Sequence, residues 1–528
     1  MNRSKMTARV VAIGMAVAWP VLVSADFRES AGWNDLIDRI GAENVPDGEN
    51  VVVAQVEAQS GTSYAPDVND AEMLAHTFVD EGPGFTGQSG HAMNVAKRFY
   101  GATVSMTPLV DPVHLYEAGG WCLDDFLRAN YSSGTAPLSM PGGVKVLNHS
   151  WIGSFGNVNN DQIVLRRMDY VVHRDDAIIA VGVNNGGTSD NQALLCFGFN
   201  NISVGVRSGD HAHSDTPANY EAAGRMKPEI CSDATATSWA TPVVSSAAAM
   251  LVDQVRSDPD LNLDGQLPAV VKAVLLAAAD HQDSDADDGT WSNEPSESGP
   301  DRGTTSRPLD MVQGAGQVDV NRSHLIMSGG RITGGVSPAT TPEAPPTGWD
   351  WAFCLLGNSR TWNFTLEGSV DEVSIVAAWN RTVPIGFGSN WTMGDFDLEL
   401  VALDADDQPV SLVGSGPEVF GAGNVLSTSA VDNVEHLYIR DLAPGRYQLR
   451  LSMVGGGVSS DRAGIAWYFS EQEIVDVPGD IDGNGVVNVD DLLQLLSEYG
   501  SCFGGCASDL NEDGTTGVDD LLLLLKYM

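Results

Sequence analysis

Three side chains of the kinds used in acyl transfer stand at element boundaries along this chain: the acid Glu57, the imidazole of His91 and the hydroxyl of Ser238. Ser238 sits in ATSWATP (236–242), just ahead of a run rich in Ala, Ser and Val. Side chains that small let a helix lie close against a sheet. A hydroxyl at its first turn feels the positive end of the helix dipole, where developing negative charge is stabilised. Taken alone, a serine before a helix is only an N-cap. His91 lies in TGQSGHAMNVAKRFYG (86–101). A neutral imidazole can take a serine proton and return it to a leaving amine. Glu57 closes the apolar run VVVAQVE and is an acid able to orient that imidazole, with Asp67 and Asp70 as fallbacks.

Around these residues the sequence resembles the subtilase family of serine proteases. ATSWATP is similar to the family's Gly-Thr-Ser-Met-Ala-Thr-Pro signature, with GRMKPEI (224–230) upstream like its Arg-x-Lys-Pro-Asp segment. The segment around His91 resembles the His-Gly-Thr-His-Val-Ala-Gly motif. VVVAQVEAQSGTSYAPDV (51–68) resembles the first motif, with Glu57 where the family has Asp. AIIAVGVNNGG (177–187) looks like the strand ending in Ala-Gly-Asn-x-Gly, which implies Asn184 as oxyanion donor with the Ser238 N–H; the neighbouring Asn185 stays open. LNHSWIGS (147–154) resembles the segment that pairs with substrate, which implies Ser150 and Gly153 in the cleft. Ala236, Val183 and Asn94 depart from the family's glycines and second histidine. The resemblance covers roughly residues 45–325 and implies peptide-bond hydrolysis, with protein or peptide as substrate.

A second chemistry lies at the C-terminal end. DIDGNGVVNVDD (480–491) places Asp480, Asp482, Asn484, Asn488 and Asp491 at positions 1, 3, 5, 9 and 12 of an EF-hand-type loop. Val486 offers its carbonyl at 7 and Gly485 the sharp turn at 6. DLNEDGTTGVDD (509–520) repeats it with Asp509, Asn511, Asp513, Thr515 and Asp520. Two aligned copies predict two bound Ca2+ ions. Asp at position 12, with no full helix ahead of each loop, resembles a type I dockerin, which implies a cohesin-like partner; cell-surface attachment is an equally good reading. Leucines 492, 493, 495 and 521–525 form either the core between the two helices or a docking face.

The elements that must hold the first site are legible as runs. Residues 51–57, 144–150 and 177–183 are near-continuous apolar strands, as in a parallel sheet buried on both faces, with helix-length segments between them. That pattern predicts an α/β fold of the subtilisin-like kind. SPATTPEAPPTG (337–348) reads as a linker, and HLYIRDLAPGRYQLRLSM (436–453) alternates as in an antiparallel β-sandwich. The expected partition is a signal peptide at 1–25, a peptidase domain at 26–330, a linker at 331–349, a β-sandwich at 350–473 and a small helical calcium domain at 474–528.

Composition narrows the partners. Seventy acidic residues against 28 basic ones give a net charge of −42, which repels phosphate backbones and anionic membranes and suits calcium. A basic head, an apolar run from Val10 to Val23 and Val-Ser-Ala at 23–25 predict export, with cleavage after Ala25. Of six cysteines, Cys502 and Cys506 are the pair expected to bridge. The sequence therefore reads as a secreted serine endopeptidase. The alternatives are an inactive fold serving as a surface binding module, or a glycan-targeted assembly subunit built on the sandwich and the tail.

Overall fold

The computed structural model describes residues 9–11, 27–281, 291–473, 479–481, 487–501, 506–511 and 513–527. Seven strands carry the N-terminal unit: Val53–Glu57 (β1), Phe78–Asp80 (β2), Val113–Glu117 (β3), Val146–His149 (β4), Ile178–Gly182 (β5), Ile202–Val206 (β6) and Ile230–Ser232 (β7). They form one parallel sheet in the order β7-β6-β5-β4-β1-β3-β2. Every residue of β1, β5 and β6 is buried, which is why these strands read as unbroken apolar runs. The chain leaves β1 towards one side of the sheet and returns at β4 on the other. In an open α/β sheet such a switch point opens a crevice beyond the carboxyl ends of the strands.

The helices that flank the sheet include Gly90–Phe99 (α1), Val158–Asp175 (α2), Thr237–Ser257 (α3), Pro268–Ala277 (α4) and Val320–Ser328 (α5). From Ala240 to Val255 every residue of α3 is buried, and so is all of α4. Such all-round burial requires cover on every side. The second unit supplies part of it.

That unit is a two-sheet antiparallel sandwich. Its strands are Thr347–Leu355 (β8), Ser359–Leu366 (β9), Ser369–Trp379 (β10), Gly394–Leu403 (β11), Val434–Leu442 (β12), Gly445–Gly456 (β13) and Ser460–Phe469 (β14). One sheet runs β8-β14-β10-β12, and β11-β13-β9 form the body of the other. Tyr447, Leu449, Leu451 and Met453 share the inner face of β13, as the alternation predicts.

The expected linker at 331–349 needs correction. Gly335 and Glu343 bridge to Thr361 and Asn363 on β9, the Ala344 N–H donates to the Asn363 carbonyl at 2.8 Å, and β8 already begins at Thr347. Its prolines mark an extended edge segment, where a missing N–H costs no ladder bond.

Nor are the two units separate bodies. Trp349, Val376, Ala378, Val434 and Ala466 of the sandwich belong to the same apolar core as α3 and α4. A Cβ at Gly464 would lie 2.5 Å from the Ala269 carbonyl oxygen, so β14 meets α4 backbone to backbone there. Beside this seam the buried Arg381 enters from the sandwich. It pairs with Asp169 of α2, places its Nη1 2.7 Å from Glu221, and lies 4.1 Å from the Phe199 ring.

At the C-terminal end, Val489–Ser497 (α6) and Val518–Tyr527 (α7) enclose a small core of Ile481, Leu495 and Leu524. Leu493, Leu496, Leu522 and Leu525 stay exposed, so the leucines divide between core and surface. Among the described residues no helix is long and apolar enough to cross a membrane. Cys506 is disulfide-bonded, while Cys502, its expected partner, and residues 1–8 and 12–25 of the expected signal lie outside the described residues. Cys122, Cys196, Cys231 and Cys354 are buried and free.

Removing one member of a buried pair strands the other charge at a cost of about 3–5 kcal/mol. Arg381→Ala is therefore expected to lower the urea midpoint by that equivalent, with α/β unit and sandwich unfolding in one transition. A wild-type midpoint, or two separated transitions, would show the units to be independent.

Candidate active site

The crevice at the switch point gathers the carboxyl ends of β1, β4 and β5. Glu57 is the last residue of β1 and is 1% exposed. His91 enters from the first turn of α1, whose N-cap Ser89 accepts the Ala92 N–H at 3.2 Å. The imidazole Nδ1 lies 2.8 Å from Glu57 Oε2. Since a carboxylate can only accept, Nδ1 carries the proton, and the other ring nitrogen is left as a base.

The second Glu57 oxygen is also held. Gln55, two residues earlier and so on the same face of β1, donates from Nε2 to Glu57 Oε1 at 3.1 Å and to the Ala92 carbonyl at 2.9 Å. The buried Tyr100 hydroxyl donates to Gln55 Oε1. Burial and the Glu57 charge hold that phenol well above its ordinary pKa, so it stays a donor. A relay runs Tyr100, Gln55, Glu57, His91. Its first two members were not singled out from sequence, although a polar Gln inside an otherwise apolar strand was a usable signal.

Ser238 is the second residue of α3 and lines one narrow cavity of about 20 Å3 with His91, Ser150, Trp151, Ile152, Gly182, Val183, Asn185 and Thr237. Among the described residues no hydrogen bond joins the Ser238 hydroxyl to His91, the looser arrangement common before substrate binds. Ser150 Oγ donates to the Ser238 carbonyl at 3.1 Å and fixes the start of the helix. Ala236 and Val183, where the resembled motifs have glycine, fit without strain. Ala236 is extended at φ −162, and Val183 is not among the residues of positive φ.

The expectation for Asn184 is corrected. Its Nδ2 donates to the Asp190 carbonyl at 3.0 Å, outside the cavity. Asn185 lines the cavity instead. Its Oδ1 accepts the Thr237 N–H at 2.9 Å and the Thr237 hydroxyl at 3.1 Å. A backbone N–H can only donate, so this bond settles the amide orientation and leaves Nδ2 for the cavity side. Two consecutive asparagines at a strand end point to opposite sides, and a slip of one exchanges them.

Of the two expected cleft residues, Ser150 lines the cavity and Gly153 does not. Gly153 lies on the short strand Ile152–Ser154, whose edge takes Arg9–Val11 as an antiparallel partner, Val10 opposite Gly153. That edge is thus paired by an extended segment of the chain itself. Asp70 faces Lys97 at 3.8 Å and Asp67 caps the Asn69 N–H, so neither fallback acid reaches His91.

In the tail, Asp482, Asn484 and Val486 lie outside the described residues. In both loops the position-12 carboxylate binds backbone: Asp491 accepts from Ile481 and Asn488, and Asp520 from Asn511 and Gly517. In the second loop Asp509 accepts from the Asp513 and Gly514 N–H groups, Asn511 donates to Asp513, and Gly514 turns at φ +89. Thr515 folds its N–H and hydroxyl back onto Asp513. Among the described residues no three His, Cys, Asp or Glu side chains cluster as metal ligands. The side-chain groups of the described second-loop residues Asp509, Asn511, Asp513, Thr515 and Asp520 all carry oxygen, the kind of atom a hard cation takes.

No protein-family model and no curated protein matches the sequence. Among solved structures, the patellamide maturation protease PatA is similar over 54% of this chain and 98% of its own, at 17% identity and a TM-score of 0.33. The serine protease of Aeromonas sobria, solved with its chaperone, is similar over 80% of this chain and 89% of its own, at 12% identity and a TM-score of 0.34. These structural neighbours are proteases.

Burial pushes the His91 pKa down, but the hydrogen bond and charge of Glu57 outweigh it and leave it raised above 6.5. NMR titration of the His91 ring is expected to place its pKa above that value, and Glu57→Gln to bring it down. An unchanged pKa in the variant would break the electrostatic link between the two.

Proposed function

We propose that this chain is an exported serine endopeptidase of the subtilase type. Ser238 attacks the peptide carbonyl, and His91 takes the Oγ proton and passes it to the leaving nitrogen. Glu57 holds His91 in the required tautomer. Asn185 Nδ2 and the Ser238 N–H face the oxyanion as it forms. The observation that carries this reading is the Glu57–His91 hydrogen bond opening onto the same cavity as Ser238. Protein or peptide substrate would lie along Ile152–Ser154 as an added strand, an edge supported by the pairing of Arg9–Val11 there.

Export rests on the basic head and apolar run that open the sequence. The tail is proposed to bind Ca2+ through Asp480, Asp482, Asn484, the Val486 carbonyl, Asn488 and Asp491 in one loop. Asp509, Asn511, Asp513, the Thr515 carbonyl and Asp520 would serve in the other. The ions would tie each loop to the helix that follows it. The exposed rows Val489, Leu493, Leu496 and Val518, Leu522, Leu525 recur at the same spacing on α6 and α7, which suits docking to a cohesin-like or cell-surface protein.

Labelling by a fluorophosphonate tests the catalytic reading. Wild type is expected to react, Ser238→Ala not at all and Glu57→Ala weakly. Asn185→Ala is expected to hydrolyse peptide about 10²–10³-fold more slowly in kcat. Folded wild type that does not label would favour the inactive-fold binding module. For the tail, calorimetric titration is expected to find two Ca2+ sites, with Asp509→Ala and Asp520→Ala removing one of them. No heat of binding to the intact chain would end the calcium reading.

A further inference from the structure

The residue after the nucleophile is Trp239, and the roles proposed above leave it unused. Its indole lies against the His91 ring, with centroids 5.1 Å apart and planes tilted by 36°. The Arg98 guanidinium lies 5.3 Å from the indole centroid and 6.0 Å from that of the Phe27 ring. Arg98 is itself tethered, donating from Nη1 to the Asn94 carbonyl at 3.2 Å. Phe27, Arg98, Trp239 and His91 thus form one chain of contacts that reaches the imidazole.

An imidazole held by a single hydrogen bond at Nδ1 can still rock about that bond. Glu57 is one methylene longer than aspartate, so its carboxylate by itself restrains the ring less. We propose that Trp239, braced by Arg98, is a positioning residue that holds the His91 ring so that its second nitrogen reaches the leaving nitrogen of the substrate. The inference rests on the reading of Ser238 and His91 as nucleophile and base.

The location fits that role. With an acyl segment placed along Ile152–Ser154 and its carbonyl at Ser238, as proposed above, the leaving nitrogen takes its proton from His91, the ring that Trp239 lies against. The proton removed from Ser238 Oγ is delivered there as the carbon–nitrogen bond breaks, and the amine leaves neutral. An amide needs that proton because its leaving group is very basic. An activated ester does not, because a p-nitrophenolate leaves without one. Loss of ring positioning therefore penalises amides more than activated esters.

The test compares Trp239→Ala, Trp239→Phe and Arg98→Met with wild type on one peptide sequence, presented as an anilide and as a p-nitrophenyl ester. Active sites are counted by fluorophosphonate. Trp239→Ala is expected to lose about 10–100-fold in kcat on the anilide, with KM within about twofold, and less than about fivefold on the ester. Phenylalanine should restore most of the anilide rate, and Arg98→Met should show a smaller loss of the same selectivity. Equal losses on both substrates, a change confined to KM, or no change in variants that label normally would overturn the inference and leave the proposed activity standing. Failure of folded wild type to label would remove both.

Discussion

A carboxylate buried at the end of a central strand has to be satisfied, and much of the architecture follows from how Glu57 is satisfied. Among the described residues its only ion-pair partner is His91, with no arginine or lysine paired to it. One oxygen takes the His91 N–H and the other a Gln55 N–H, and Gln55 is itself held by Tyr100 and by the Ala92 carbonyl. Each link comes from an element whose place the parallel sheet sets: β1 supplies Gln55 and Glu57, and α1 supplies His91, Ala92 and Tyr100 at its C-terminal end. Breaking the chain anywhere leaves a buried polar group without a partner, a loss larger than one hydrogen bond adds. The site is thus over-determined, which is how a glutamate can stand where the resembled motif has the shorter acid.

The same logic extends to the sandwich. An accessory unit joined by a flexible linker would leave the α/β core complete without it. Here α4 is buried along its whole length between α3, α5 and the sandwich, and Arg381 completes an ion network begun by Asp169, Arg166 and Glu221 on the α/β side. The sandwich therefore finishes the core of the unit that holds the crevice.

Legibility in the sequence followed the range of the interactions. Period-two and unbroken apolar runs are local, so β1, β4, β5 and the alternation of β13 were readable. Ser238, His91 and Glu57 sit in motifs at element boundaries and were found together. The resemblance favours Asn184 and leaves Asn185 open, because a strand's exit turn decides which of two neighbours faces inward, and that turn depends on Thr237, about fifty residues away in the chain. The linker misled for a related reason: Pro and Thr mark extended backbone, but composition does not say whether a sheet edge lies beside it. Trp239 and Gln55 were missed because each matters only through a partner distant in sequence.

Charge ties surface to interior. The chain has six lysines, and three of them, Lys145, Lys227 and Lys272, are buried, as are Arg167, Arg225 and Arg381. Lys227 and Lys272 share one carboxylate, Glu229, at 2.8 and 2.7 Å, and these two ammonium groups keep it ionised, its pKa held down at about 2 against the opposing effect of burial. Cations spent on such interior pairs cannot neutralise the surface, and most of the acidic excess behind the net charge of −42 stays outside the core. Interior pairs feel salt weakly, whereas surface carboxylates repel one another over roughly 8–10 Å at moderate ionic strength. Dissolved cations therefore act mainly on the surface, and the interior pairs that join the units keep their strength as salt changes.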